Sequence, residues 1–198
     1  MPRLKLPELN EMTPQQRAVH DKVVARSERG ALVGPFRAAL LRPEILDKWD
    51  DLARAVRVGA TLPVRLRELA ILVTARHWNA KIEWLEHVPP ALREGLTEEV
   101  IRAIRDRRPP DFKRDDERDV FAFCTELFKQ HAVSQPTYDR ALAHLGPVGI
   151  MELSTVLGLF CLVAFTLIAH ELVPLVGREA AALGSKQAGL EELAQLPD

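Results

Sequence analysis

The run from Val156 to Ala169 carries no charged side chain, so it lacks the polar face that a helix lying on a protein surface would show. It is shorter than the roughly 20 residues needed to span a bilayer. It therefore predicts a buried helix, extending from Val148 to Leu172 with Glu152 and His170 at its polar ends. A helix apolar on all sides in a domain of this size is often covered by a second subunit as well as by its own core. No stretch alternates apolar and polar residues at period two for long, so the chain reads as all-α.

The 198 residues suit one domain, with residues 1–33 as an N-terminal arm and helix and residues 175–198 as a C-terminal tail. A net charge of −1 gives no electrostatic reason to expect nucleic acid or a membrane surface as partner. Met1 to Asn10 holds charges and two prolines and no apolar stretch, which is unlike a secretory leader. The cysteines Cys124 and Cys161 are far apart, each in an apolar pattern, so they read as buried free thiols in a cytoplasmic protein. There is no glycine-rich phosphate loop and no His-x-x-x-His spacing. Neither a cofactor nor a metal is expected.

Local signals place the helices. Thr13-Pro14-Gln15-Gln16 is a capping box that starts a helix running to about Arg29. A short helix from Phe36 to Leu41 stops at Pro43, and an amphipathic one covers Glu44 to Val58. Thr97-Glu98-Glu99 opens another, with acids in its first turn. Asp115 to His131 follows, then Pro136 to Leu145, ended by Gly146-Pro147. After Pro174 the glycines and alanines predict a weak helix or a frayed tail.

Chemistry concentrates between Leu66 and His87. Glu83 and His87 are four apart, a spacing that sets side chains about 5–6 Å apart at Cβ on one helix face. A carboxylate beside an imidazole can fix its tautomer and pass a proton. The same pair is also common on solvated faces, and Trp78 and Trp84 serve equally as core residues. Glu68 opens an apolar run, where a buried acid needs a partner or a proton. A helix from Val64 to Arg76, a break near His77–Trp78, and a second helix capped by Asn79 and ending before Pro89-Pro90 would let Glu68 meet Glu83 and His87. One unbroken helix would hold Glu68 and Glu83 roughly 22 Å apart.

The order Glu68, Ala80, Glu83, His87, with the text Arg67-Glu68-Leu69-Ala70-Ile71-Leu72 and Glu83-Trp84-Leu85-Glu86-His87, resembles the carboxymuconolactone decarboxylase and alkylhydroperoxidase D family. The likeness runs from about Gly34 to about Val173. Peroxidase members carry a Cys-x-x-Cys pair where this chain has Ala80 and Glu83, so the text is closer to the decarboxylase-like branch. The resemblance implies an alkylhydroperoxidase D-like helical bundle, assembled as a homo-trimer or homo-hexamer. It implies a cofactor-free lyase or isomerase acting on a small carboxylated lactone or related acid, a carboxy-lyase rather than a peroxidase. His87 would donate the proton, Glu83 would orient it, and Glu68 would be a second relay acid. Phe36 and Trp84 would line the pocket. A substrate carboxylate would need an arginine; Arg65, Arg67 and Arg76 are the candidates, and the sequence does not choose among them. Relatives carry an aromatic pair after the glycine at 158 and an asparagine near the helix end, where this chain has Leu159-Phe160 and His170. That departure leaves the substrate open. It also leaves room for two other readings: a peroxidase-family member by descent without dithiol activity, and a non-catalytic oligomeric protein that binds small acids.

Overall fold

Thr13 Oγ1 accepts from the Gln16 amide at 3.2 Å, and Gln16 Oε1 accepts from the Thr13 amide at 2.9 Å. This reciprocal cap starts α1, Pro14–Arg26. The computed structural model describes residues 3–27, 30–32, 34–172 and 190–197. Helix α1 ends at Arg26, short of the expected Arg29; residues 28–29 lie outside the described residues. It packs on α3, Pro43–Ala55, which the short α2, Pro35–Ala39, precedes. Val23, Leu32, Leu40 and Leu46 form the small core between them. Arg26 bridges Asp50 and Asp51 at its edge.

The centre of the molecule is α4, Val64–Trp78. Ten of its residues are buried, including the unbroken series from Glu68 to Arg76. It packs against α5, Lys81–Arg93, α6, Glu98–Arg105, α7, Asp115–Gln130, and α8, Gln135–Ala169. No strand occurs among the described residues, so the all-α expectation holds.

The α4–α5 boundaries differ from the sequence reading: α4 runs past the expected end at Arg76 through His77 and Trp78, and the break falls at Asn79–Ala80. Asn79 is the C-cap of α4, in the left-handed region at φ 55°, and not the N-cap of α5. Asparagine tolerates that conformation better than most residues. It lets the chain turn back at once, and Ala80 precedes the first turn of α5. Helix α5 does not stop before Pro89-Pro90 but continues through both to Arg93. Each proline removes one backbone donor. The helix persists because Trp84 and Val88 before them and Ala91 after them are all fully buried in the same core.

Helix α8 is bent at Gly146, where φ 64° and ψ 175° interrupt the helical backbone at the expected break. Its second arm, 147–169, buries Leu153, Val156, Leu157, Leu159, Phe160, Ala164 and Leu167. By length and composition α8 could cross a membrane, but these residues make it a core helix of the bundle. Its other face leaves Met151, Leu162, Phe165 and Ile168 exposed. Near its start, Glu152 accepts from the Thr61 and Leu62 amides and the Thr61 hydroxyl, tying down the loop before α4.

The two ends of the chain close on this bundle. The Arg3 amide donates to the His170 carbonyl at 3.0 Å, and Leu4 and Leu6 pack with Leu167 and Leu172. Residues 173–189, where most of the expected weak tail falls, lie outside the described residues. Beyond them the short helix Leu190–Leu193 is docked and not frayed. Leu193 and Leu196 are buried, and Arg105 reaches the Glu192 carbonyl at 2.8 Å.

Candidate active site

The turn at Asn79 folds α5 back on α4 and brings Glu68 to His87. Glu68 Oε2 lies 2.7 Å from His87 Nδ1. A carboxylate can only accept, so Nδ1 carries the hydrogen. Glu68 is almost wholly buried. Burial alone would raise its pKa, but the hydrogen bond and charge of His87, helped by the charges of Arg67 and Arg57, prevail and hold it below the ordinary carboxylate value. Arg67 Nε stands 3.6 Å from Glu68 Oε1, beyond hydrogen-bond range, and has no hydrogen-bond partner; Arg67 Nη1 donates to the Val56 carbonyl at 3.4 Å.

This pairing corrects the spacing argument. The acid that orients His87 is Glu68, nineteen residues away, and not Glu83 on the same helix. With Nδ1 engaged, Nε2 is left to accept or donate a proton. The ring is held from the side by Phe160, edge-on with centroids 5.0 Å apart. Its side chain keeps 17% of its surface exposed.

Glu83 is a different kind of acid. It is 2% exposed, and neither carboxylate oxygen has a hydrogen-bond partner. Burial pushes its pKa well above the ordinary value, which favours the neutral carboxyl. Across the seam lies Cys161, which neighbours Glu83 and accepts from the Trp78 indole N–H at 3.3 Å. Glu83 and His87 thus occupy successive turns of α5, beside the consecutive α8 residues Cys161 and Phe160.

The remaining sequence candidates have other partners. Trp84 is fully buried, and its indole N–H donates to the Leu193 carbonyl at 2.9 Å. Arg76 donates from Nε to the Arg105 carbonyl and from Nη1 to Asn79 Oδ1, both at 2.7 Å, which makes it a brace for the α4 C-terminus. Arg65 pairs with Glu117 and, at 2.7 Å, with Asp116. Phe36 packs edge-on against Trp49 at 5.3 Å. Phe160, Cys161 and the Arg57 charge are the members that helical spacing within residues 66–87 could not supply, because they reach the site from other segments. Among the described residues no group of three His, Cys, Asp or Glu side chains could hold a metal ion. An open groove of about 450 Å³ runs along α7 past Phe112, Phe121 and Thr125; none of its lining residues belongs to the acid–base cluster.

Neither cysteine is poised for thiol chemistry. Burial raises the pKa of Cys124 far out of the working range. Cys161 is raised chiefly by burial, with the Trp78 hydrogen bond acting the other way. The thiolate is the reactive form.

No protein-family model matches the sequence, and no curated protein matches it. Among solved structures the fold is similar to that of an uncharacterized peroxidase-related protein with an alkylhydroperoxidase AhpD core, from Ralstonia eutropha JMP134. The TM-score is 0.70 at 15% identity, over 88% of this chain and 93% of that one. The chain therefore has an alkylhydroperoxidase D-like helical fold.

Proposed function

We propose that the protein is a cofactor-free acid–base enzyme, a lyase or isomerase, acting on a small carboxylated lactone or related acid. The observation that carries this is the 2.7 Å bond from His87 Nδ1 to the buried Glu68 carboxylate, which fixes the tautomer and leaves Nε2 for chemistry. In a decarboxylation the C–C electron pair flows into an extended enolate as carbon dioxide leaves, and His87 returns a proton to carbon. In an isomerisation the same nitrogen removes and returns the proton. Of the candidate arginines, Arg67 stands beside this pair with an unpartnered buried Nε, which supports it, ahead of Arg65 and Arg76, as the source of positive charge for a carboxylated substrate.

The neighbour's peroxidase-related description does not extend readily to this chain. Ala80 and Glu83 stand at the two thiol positions, and both native thiols are held protonated. The test is a turnover and exchange screen in D₂O, using small unsaturated lactones, 2-oxo acids and aromatic acids, with His87→Ala and Glu68→Gln alongside. Removal of a general acid–base group costs roughly 10²–10⁴-fold, and His87→Ala should lose that much with its fold intact. A wild-type rate in His87→Ala overturns the assignment. Binding without exchange in the wild type would make the protein a small-acid binder.

We also propose that copies assemble into a trimer or hexamer in the cytoplasm. Met151, Leu162, Phe165, Ile168 and the edge of Trp78 form an exposed apolar face with no charged residue between Glu152 and His170. Apolar patches of this kind mark association surfaces. Sedimentation should give a mass of several chains, falling in Phe165→Glu; a monomeric wild type would exclude assembly.

A further inference from the structure

Glu83 has no structural reason to be an acid. It makes no ion pair and no hydrogen bond, and a leucine would satisfy its surroundings better. Unsatisfied buried polar atoms are rare in folded proteins, and a catalytic role is one of the reasons they persist. Glu83 is not partnered by His87, whose Nδ1 is held by Glu68.

We infer that Glu83 is an oxyanion donor: its carboxyl O–H binds the carbonyl oxygen of the substrate and stabilises it as an enolate while His87 moves the proton. The inference rests on the acid–base reading of His87. Three observations carry it. Glu83 and His87 occupy successive turns of α5, a spacing that sets the two side chains near one another, so a carbonyl admitted between them on substrate binding would lie within reach of both. Both Glu83 oxygens are free of protein partners. Among the described residues no guanidinium or ammonium pairs with the carboxyl, and burial favours its neutral form. A neutral carboxylic acid in an apolar site is an effective donor to a developing oxyanion, the role a protonated aspartate fills in ketosteroid isomerase.

The electron flow balances without a co-reactant. His87 Nε2 takes the proton from the carbon next to the carbonyl. The C–H pair becomes the C=C bond of the enolate, and the carbonyl π pair moves to oxygen. The Glu83 O–H donates to that oxygen. His87 then returns the proton to the same carbon or to the vinylogous one. The substrate class follows: a lactone, ester or ketone with an acidic C–H, presenting a neutral carbonyl and not a carboxylate to Glu83.

The test uses the full-length wild type with His87→Ala, Glu83→Gln and Glu83→Ala, each checked for helicity and melting, and Glu83→Leu as the cavity-filled alternative to Glu83→Ala. Infrared spectra at neutral pH should show a carboxylic-acid C=O band in the wild type that disappears in Glu83→Gln. Deuterium exchange into α-angelica lactone, followed by NMR, should fall roughly 10²–10³-fold in Glu83→Ala and Glu83→Leu. Glu83→Gln keeps a donor and should stay within about tenfold of the wild type. Two results would overturn the inference while leaving His87 in place: no acid band, or a loss in His87→Ala with none in Glu83→Ala and Glu83→Leu. A Glu83→Gln as slow as Glu83→Ala would do the same. Absence of exchange in the wild type, or exchange untouched by His87→Ala, would overturn the acid–base reading and this inference together.

Discussion

The indole N–H of Trp84 donates to the backbone carbonyl of Leu193 at 2.9 Å, across 109 residues of sequence. Trp84 is therefore the receptor for the returning C-terminal segment. Trp84→Phe keeps most of the apolar bulk and removes the donor. It should cost about 1 kcal/mol, a typical net value for one hydrogen bond, with a further loss from reduced packing. Chemical denaturation gives the number, and amide exchange at residues 192–197 should rise in the same variant.

Glu83 and Glu68 should pull stability in opposite directions with pH. Below the ordinary value of 4.5, Glu83 is protonated in both folded and unfolded chains. Above it the unfolded chain ionises and the folded chain does not, so this residue costs stability as pH rises toward its raised folded value. Glu83→Gln lacks this titration, so it should gain stability relative to the wild type between pH 4 and pH 7, with the difference fading toward pH 4. Glu68 is lowered, so its contribution is present above 4.5 and disappears as pH falls through the folded value. Glu68→Gln should therefore be less stable at pH 7, with the deficit shrinking on acidification. Melting series from pH 3 to 8 check both signs.

Arg65 pairs with Glu117, whose side chain is 5% exposed, and with Asp116. Its role is structural. Arg65→Met should cost up to about 3–5 kcal/mol, because among the described residues it leaves the buried Glu117 carboxylate with only Arg114 Nε, 3.9 Å away. At a temperature where the variant is folded, exchange activity should be close to that of the wild type. A selective rise in KM would instead return Arg65 to the substrate site.

Asn79 makes the turn that brings Glu68 to His87. A β-branched residue at φ 55° is strained by about 1–2 kcal/mol, so Asn79→Val should destabilise by at least that much, while Asn79→Gly should lose less. If the turn positions the site, Asn79→Val should also slow exchange where the protein remains folded. NMR of the His87 ring would report the displacement.

Much of this architecture was legible in the sequence. The Thr13 and Thr97 caps, the apolar core helix and the break at Gly146 all follow from local chemistry, and local chemistry governs how helices start and bend. The pairing inside the site was not. Spacing on one helix says that Glu83 and His87 are neighbours, not which way each side chain turns. The carboxylate that reaches His87 comes from another helix through a turn whose residue, Asn79, reads equally well as a start or a stop. Pro89-Pro90 misled for a related reason: burial on both sides outweighs two missing donors. The docking of Leu193 depends on contacts more than a hundred residues apart, which alanine-rich text does not announce.

The Glu68–His87 contact spans nineteen residues and a single tight turn, all within residues 64–93. Closing so short a loop costs little chain entropy, and local contacts of this kind form early. The Glu68–His87 pair is thus closed by local chain, while Phe160 and Cys161 reach the same place from α8, far along the sequence.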